Sequence, residues 1–198
     1  SSMLKKIIKY VLSGLQNTNY PISYTNMESI GKQYLKTING KEYDEKRMRM
    51  YSKFFPGPGS VTLQNINIAP INTEANIPNI RENYTVTDKA DGLRKLLFIN
   101  NKGNIYLIDT NMNIQFTGAM TKNIELFDTI LDGEHILHNK KGEFINLFAA
   151  FDIYIINNKN VRSNAFIPPS DEMNIVYNKY RLPTLVNVVN NLNSISVV

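Results

Sequence analysis

The chain has 198 residues, no cysteine, 42% hydrophobic residues and a formal charge of +5. That size and apolar content suit one domain with a buried core, or one domain and a small flank, and the missing Cys excludes disulfides, a thiolate nucleophile and Cys-based zinc. The pI near 9.2 favours polyanionic partners such as nucleotides or RNA. Apolar runs fall short of the ~20 residues of a membrane span and no signal-peptide pattern opens the chain, so a soluble, intracellular protein without a membrane partner is expected.

Ser1-Ser2-Met3 reads as a cloning remnant before an internal start. Leu4, Ile7, Ile8, Val11, Leu12 and Leu15 then recur at helical spacing with Lys5, Lys6 and Lys9 on other faces, which predicts an amphipathic helix packed on its own domain or on a neighbour. A second, more polar helix is expected over about residues 26–51, broken near Asn39-Gly40 and ending in the basic stretch Lys46-Arg47-Met48-Arg49. Phe55-Pro56-Gly57-Pro58-Gly59-Ser60 cannot be helical, because each Pro lacks a donor and pushes its predecessor into an extended conformation. We therefore separate an N-terminal helical flank, 1–53, from a domain over 54–198.

Beyond Val61 the pattern turns to short extended runs: 84–87, 95–99, 105–108, 113–117, 129–138 and 143–156. Turn residues at Asn100–Asn104 and Asn139–Gly142 suit hairpins, so the central region is expected to be an antiparallel sheet. Past Pro168-Pro169 an apolar stripe of Tyr180, Leu182, Leu185, Val186, Val189 and Leu192 predicts a closing helix. The fold class is α+β.

Three motifs stand in order on these strands. In Lys89-Ala90-Asp91-Gly92-Leu93-Arg94 the Gly permits a turn, and Lys89 and Arg94 can approach one anionic group from its two sides; an ordinary exposed turn is the competing reading. In Leu131-Asp132-Gly133-Glu134-His135 the two acids share one strand face. They are costly there unless a ligand, a cation or a salt bridge to Arg94 or Lys95 holds them. In Phe148-Ala149-Ala150-Phe151-Asp152 a ring flanked by Ala can form a stacking platform for a purine, or simply be core. Strict alternation would place Asp152 on the face opposite Phe151.

Together, a Lys-x-Asp-Gly-x-Arg element, an Asp-Gly-Glu strand about forty residues on and a Phe-Asp strand after one hairpin resemble the covalent nucleotidyltransferase superfamily of DNA ligases, RNA ligases and mRNA-capping enzymes. The upstream run Phe55-Pro56-Gly57-Pro58-Gly59-Ser60-Val61-Thr62-Leu63 and the pair Ile108-Asp109 are similar to elements of the guanylyltransferases of large DNA viruses. The resemblance covers about residues 54–160. It implies the antiparallel-sheet, ATP-grasp-like ligase and capping fold, with only its N-terminal part present and no OB-fold. It implies that Lys89 attacks the α-phosphate of GTP to form a lysyl-GMP, which passes to 5′-diphosphate RNA. Asp91 would shape the loop, Arg94 and Glu134 would hold the ribose, Phe151 would stack on the base, and Mg2+ or Mn2+ would neutralise the phosphates. Triphosphatase and methyltransferase domains of the same polypeptide are implied as partners, in host cytoplasm, virion or virus factory.

Two departures qualify the likeness. Thr110 follows Asp109 where the family usually has Arg, and nothing after Asp152 resembles the carboxylate-Gly-aliphatic and Lys-x-Lys strands; no Gly at all follows Gly142. The chain is therefore read as a fragment of a longer polypeptide or as a degenerate domain. An ATP-dependent ligase adenylation domain and a non-catalytic RNA-binding or capping-subunit-binding module stay open as alternatives. His135 and His138, three apart on a strand, point to opposite faces and are not expected to share a metal.

Overall fold

The computed structural model describes residues 2–47, 49–71, 77–82, 84–168, 179–192 and 194–196. The chain divides into two compact units, Ser1–Pro56 with Asp91–Val198, and Gly57–Ala90. In the larger unit, helices α1 (Ser2–Gln16) and α2 (Tyr24–Asn39) precede strands β1 (Leu93–Ile99), β2 (Asn104–Asp109), β3 (Ile114–Thr121), β4 (Thr129–His138), β5 (Phe144–Ile156) and β6 (Lys159–Asn160). Helix α4 (Arg181–Asn191) and strand β7 (Ser194–Ser196) follow; the smaller unit contributes the single turn α3 (Asn65–Ile68). The sheet is antiparallel throughout, in the order β6-β5-β4-β1-β2-β3-β7. The expected α+β architecture is present.

Each face of the sheet carries a helix. Ile30, Tyr34, Leu35 and Ile38 line one side of α2 at helical spacing and bury against Leu96, Phe98, Tyr106, Ile108 and Ile130. Leu185 and Val188 of α4 pack on the reverse face with Leu97, Ile99, Leu107, Leu131 and Ile153. Burial on both sides is why β1 reads Leu96-Leu97-Phe98-Ile99 without a polar alternate. Helix α2 is thus part of the sheet's own core, a packing that a helical flank over 1–53 did not anticipate.

Three hairpins use one device. Asn100 Oδ1 accepts from the amides of Lys102 and Asn104, and Asn139 Oδ1 from those of Lys141 and Glu143, with Gly103 and Gly142 both at φ +80°. At the β2–β3 turn Asp109 Oδ1 accepts from the amides of Asn111 and Asn113, and Met112 takes the left-handed position at φ +68°. An Asx side chain fixes the turn, and a residue that tolerates positive φ closes it.

Several expectations are corrected. Residues 84–87 form no strand; they are exposed, Val86 completely so, and they pair with no strand among the described residues. Helix α2 ends at Asn39, the break expected there, with Gly40 at φ +54°, but in place of its expected continuation to residue 51 the described residues carry only the short 3-10 turn 40–42, followed by another over 52–54. Lys46, Arg47 and Arg49 of the basic stretch are therefore not helical, and its Met48 lies outside the described residues, as do 169–178. Helix α1 forms as expected, yet none of its residues is buried and its apolar side chains Leu4, Ile7, Ile8, Val11 and Leu15 are exposed. No described helix is long and apolar enough to cross a membrane.

The smaller unit has no buried residue among those described, and side-chain amides hold it instead. Asn67 Nδ2 donates to the Pro78 carbonyl at 2.8 Å while its Oδ1 accepts from the Gln64 amide, and Asn79 Nδ2 donates to the Ala69 carbonyl.

Two glycines mark close approaches in the larger unit. A Cβ at Gly92 would stand 2.8 Å from the His135 carbonyl oxygen, so this Gly lets the chain entering β1 lie against β4. The Phe148 ring lies over Gly133, where a Cβ would meet Cζ at 2.5 Å and the Ala149 carbonyl oxygen at 2.6 Å. Gly133→Ala is expected to destabilise the protein by about 1–3 kcal/mol through overpacking, measured by urea denaturation; an unchanged midpoint would remove this explanation for the glycine.

Candidate nucleotide-binding face

Antiparallel register sets the chemistry. Arg94 of β1 lies opposite Glu134 of β4 and Leu96 opposite Asp132, so Arg94, Asp132 and Glu134 project from one face, the face that α2 covers farther along. Asp132 is completely buried and takes Arg94 in a two-pronged bond, Nη2 to Oδ2 at 2.6 Å and Nε to Oδ1 at 3.2 Å. The Tyr154 hydroxyl donates to the same Oδ2. The hydrogen bond that Arg94 donates to Asp132 raises the Arg94 pKa further, and burial, followed by the bond to Asp132, drives the Tyr154 phenol well above its usual range. A buried carboxylate without partners would be prohibitive; here a cation and a hydroxyl satisfy it.

The Arg94 guanidinium also contacts two aromatic rings, 5.2 Å from the centroid of Phe55 and 5.8 Å from that of Phe151. Phe151 reaches this face through a bulge: Asp132 pairs with Asp152 and Gly133 with Ala150, so Phe151 is the extra residue between them. The strict alternation that set Asp152 and Phe151 on opposite faces fails at that point. Asp152 is held instead by Arg181 at the start of α4, Nε to Oδ1 at 2.8 Å, a pair that ties the helix to β5.

Glu134 differs from its neighbour. Its Oε2 is buried and has no hydrogen-bond partner among the described residues. Of the two acids, Asp132 makes the salt bridge that competed with ligand binding in the sequence reading, and Glu134 does not. A buried acceptor without a donor calls for one, and a ligand hydroxyl or a water can supply it.

Of the five predicted site residues, the structure brings Arg94, Glu134 and Phe151 to one face. Asp91 is exposed, two residues ahead of β1, and Lys89, also exposed, belongs to the smaller unit. Phe55 and Tyr154 were not foreseen as site residues; Phe55 stands inside the Pro-Gly run already singled out, and Tyr154 carried no signal beyond being a strand aromatic. His135 is buried with Nε2 2.8 Å from Asn146 Oδ1, whereas His138 is exposed and meets Phe144 edge-on. Among the described residues no group of three His, Cys, Asp or Glu is placed to hold a metal ion.

An antiparallel sheet flanked by helices, with a cation, an unpaired carboxylate and an aromatic ring on one face, fits an α+β nucleotidyltransferase-like domain. The chain belongs to the family described as mRNA capping enzyme, catalytic domain, whose model matches residues 19–175. That match begins ahead of α2, whereas the motif resemblance reached back only to about residue 54. A protein of Acanthamoeba polyphaga mimivirus named "Probable mRNA-capping enzyme" is 25% identical over 178 residues, spanning 90% of this chain. The chain spans only 12% of that relative's length.

Proposed function

We propose that this chain is the front part of an mRNA guanylyltransferase within a larger viral capping enzyme. The observation that carries the reading is the buried, unpartnered Oε2 of Glu134 on the face that also presents Arg94 and Phe151. A ribose hydroxyl donating to Glu134 would satisfy it, and a purine stacked on Phe151 would use the ring that Arg94 now contacts. Lys89, joined to β1 through Ala90, Asp91 and Gly92, is the proposed nucleophile. Its Nζ attacks the α-phosphorus of GTP, the bond to the β-phosphate oxygen breaks, pyrophosphate leaves and a phosphoramidate to GMP forms. A terminal phosphate oxygen of 5′-diphosphate RNA then attacks the same phosphorus, and the amine is released.

Within this reading the sheet is the first half of an ATP-grasp-like ligase and capping core, Asp91 shapes the loop after the lysine, and triphosphatase and methyltransferase domains belong to the same polypeptide. The work would be done in host cytoplasm, virion or virus factory. The described residues do not form a carboxylate cage, since Asp132 is engaged by Arg94 and Asp152 by Arg181. Mg2+ or Mn2+ would therefore arrive on the nucleotide's own phosphates, as such ions commonly do, and no step is assigned to it.

The test is to incubate the parent protein with α-labelled GTP or ATP, denature it and ask which label stays. Retention of GTP label supports the proposal; retention of ATP label alone would make the chain a ligase adenylation domain. RNA binding without any adduct would make it a binding module. The 198-residue chain alone is expected to label weakly, because its sequence lacks the Lys-x-Lys strand that grips the α-phosphate in the family. Glu134→Gln should leave folding stability equal or higher, since no hydrogen bond of Oε2 is lost and a buried charge is removed, while cutting labelling of the parent by roughly 10²-fold, the order seen when one positioned polar contact is lost. Full labelling by that variant would overturn the role given to Glu134.

A further inference from the structure

The same two strands offer a second cleft from their other face. Lys95 follows Arg94, and His135 follows Glu134, so alternation turns both away from the proposed nucleotide face. They line a cleft of about 550 Å³ whose other walls include Gln115, Thr117, Asn146 and Phe144. Its lining contains Lys, His, amides, hydroxyls and aromatic rings, and no Asp or Glu.

Three features of this cleft point to an anionic, aromatic ligand. The Lys95 ammonium makes a 3.0 Å bond to Gln115 Oε1 but has no carboxylate within ion-pair distance among the described residues. Asp109, opposite it in register, spends its oxygens on the β2–β3 turn, accepting from Asn111 and from the amide and side chain of Asn113. Burial lowers the Lys95 pKa, with the Asp109 charge across the strand pair pulling the other way. His135 Nδ1 is buried with no hydrogen-bond partner among the described residues. Phe144 leaves 68% of its surface exposed at the cleft wall.

We propose that this cleft binds a phosphorylated nucleotide unit, its phosphate at Lys95 and its base against Phe144, as a site separate from the Arg94 and Glu134 face. The chemistry is that of single-stranded nucleic-acid grooves, where a cation tracks the backbone and an aromatic ring stacks a base whatever its sequence. No Asp or Glu lines the cleft among the described residues, and Asp109, opposite Lys95 in register, has its oxygens engaged by the β2–β3 turn. The unit can come from an RNA strand or from a free mononucleotide, and the site stands whether or not Lys89 is a nucleophile.

The test is fluorescence anisotropy of a fluorescein-labelled single-stranded oligoribonucleotide with the 198-residue protein, competed by unlabelled GMP or UMP. Lys95→Met keeps the stem of the side chain and removes the charge; Phe144→Ser removes an exposed ring without touching the core. Each is expected to weaken binding of the oligonucleotide by about 5- to 10-fold, the lower end of a lost base stack, and Lys95→Met to flatten the salt dependence by roughly 0.7 in slope. Lys159→Met, which deletes one charge on the exposed edge strand β6, is expected to change binding less than about 2-fold. Displacement by mononucleotide assigns the site to free nucleotides, and resistance to it assigns the site to a strand. Equal weakening by Lys95→Met and Lys159→Met, or an undiminished Phe144→Ser protein, would overturn the proposal. Should Lys95→Met fold poorly, Phe144→Ser with a 4-thiouridine crosslink mapped to residues 144–146 decides alone.

Discussion

Replacing Asp132 with Ala is expected to be the most destabilising single change on the candidate face, at about 3 kcal/mol, the lower end for breaking a buried ion pair. Asp132 has no exposed surface, and its carboxylate receives the Arg94 guanidinium through two bonds and the Tyr154 hydroxyl through a third. Removing it takes two bonds from the Arg94 guanidinium and one from the Tyr154 hydroxyl, and the desolvation cost that those bonds offset is then uncompensated. Arg94 is 25% exposed and can turn partly to solvent, which is why the lower end of the range applies. In a protein of this size the loss corresponds to about 6–12 °C in the melting midpoint. Scanning calorimetry or urea denaturation reads it, and a loss below about 1 kcal/mol would show that Arg94 and Tyr154 find other partners. The double change Asp132→Leu with Arg94→Met should be milder than Asp132→Ala, because replacing both members of a buried pair by apolar groups avoids the unpaired charge. The two neighbouring acids thus differ: Asp132 holds the face together, and Glu134 Oε2 has no partner among the described residues.

Much of the framework was legible in the sequence because local chemistry dictated it. The Asn-led turns at Asn100 and Asn139 announced two hairpins through residues that cap backbone amides and glycines that accept positive φ, and β4 keeps the bounds 129–138 expected of it. The third hairpin was harder to see, since Asp109 caps it and Met112, not a glycine, occupies the left-handed position. What escaped depended on neighbours. Residues 84–87 are β-prone but pair with no strand among the described residues, and propensity alone does not build a ladder. The polar run after Gly40 has helix-forming composition yet shows no continuous apolar stripe to bury. The bulge at Phe151 is invisible to a period-two count, and it is this bulge that brings the ring toward Arg94. The three motif residues that do meet, Arg94, Glu134 and Phe151, meet because β1, β4 and β5 are adjacent in the sheet, an adjacency that the β4–β5 hairpin and the β1–β4 pairing set.

The proposed nucleophile gives the other large effect, on chemistry and not on folding. Lys89 is exposed and makes no ion pair among the described residues, so Lys89→Met and Lys89→Arg should shift stability by no more than about 0.5 kcal/mol. Both should abolish the covalent nucleotide adduct of the parent protein, by a factor on the order of 10³ or more, as loss of a covalent nucleophile does elsewhere. The Arg variant sharpens the argument: it keeps the positive charge, but a guanidinium does not deprotonate in proteins and so offers no neutral nitrogen for attack on phosphorus. If Lys89 served only to attract phosphate, the Arg protein would still label, since its charge is unchanged. If a different lysine forms the adduct, both variants would label and mass spectrometry of the modified peptide would name the true residue. Loss of label in both variants, with an unchanged melting curve, leaves attack by the Lys89 amine as the account that fits.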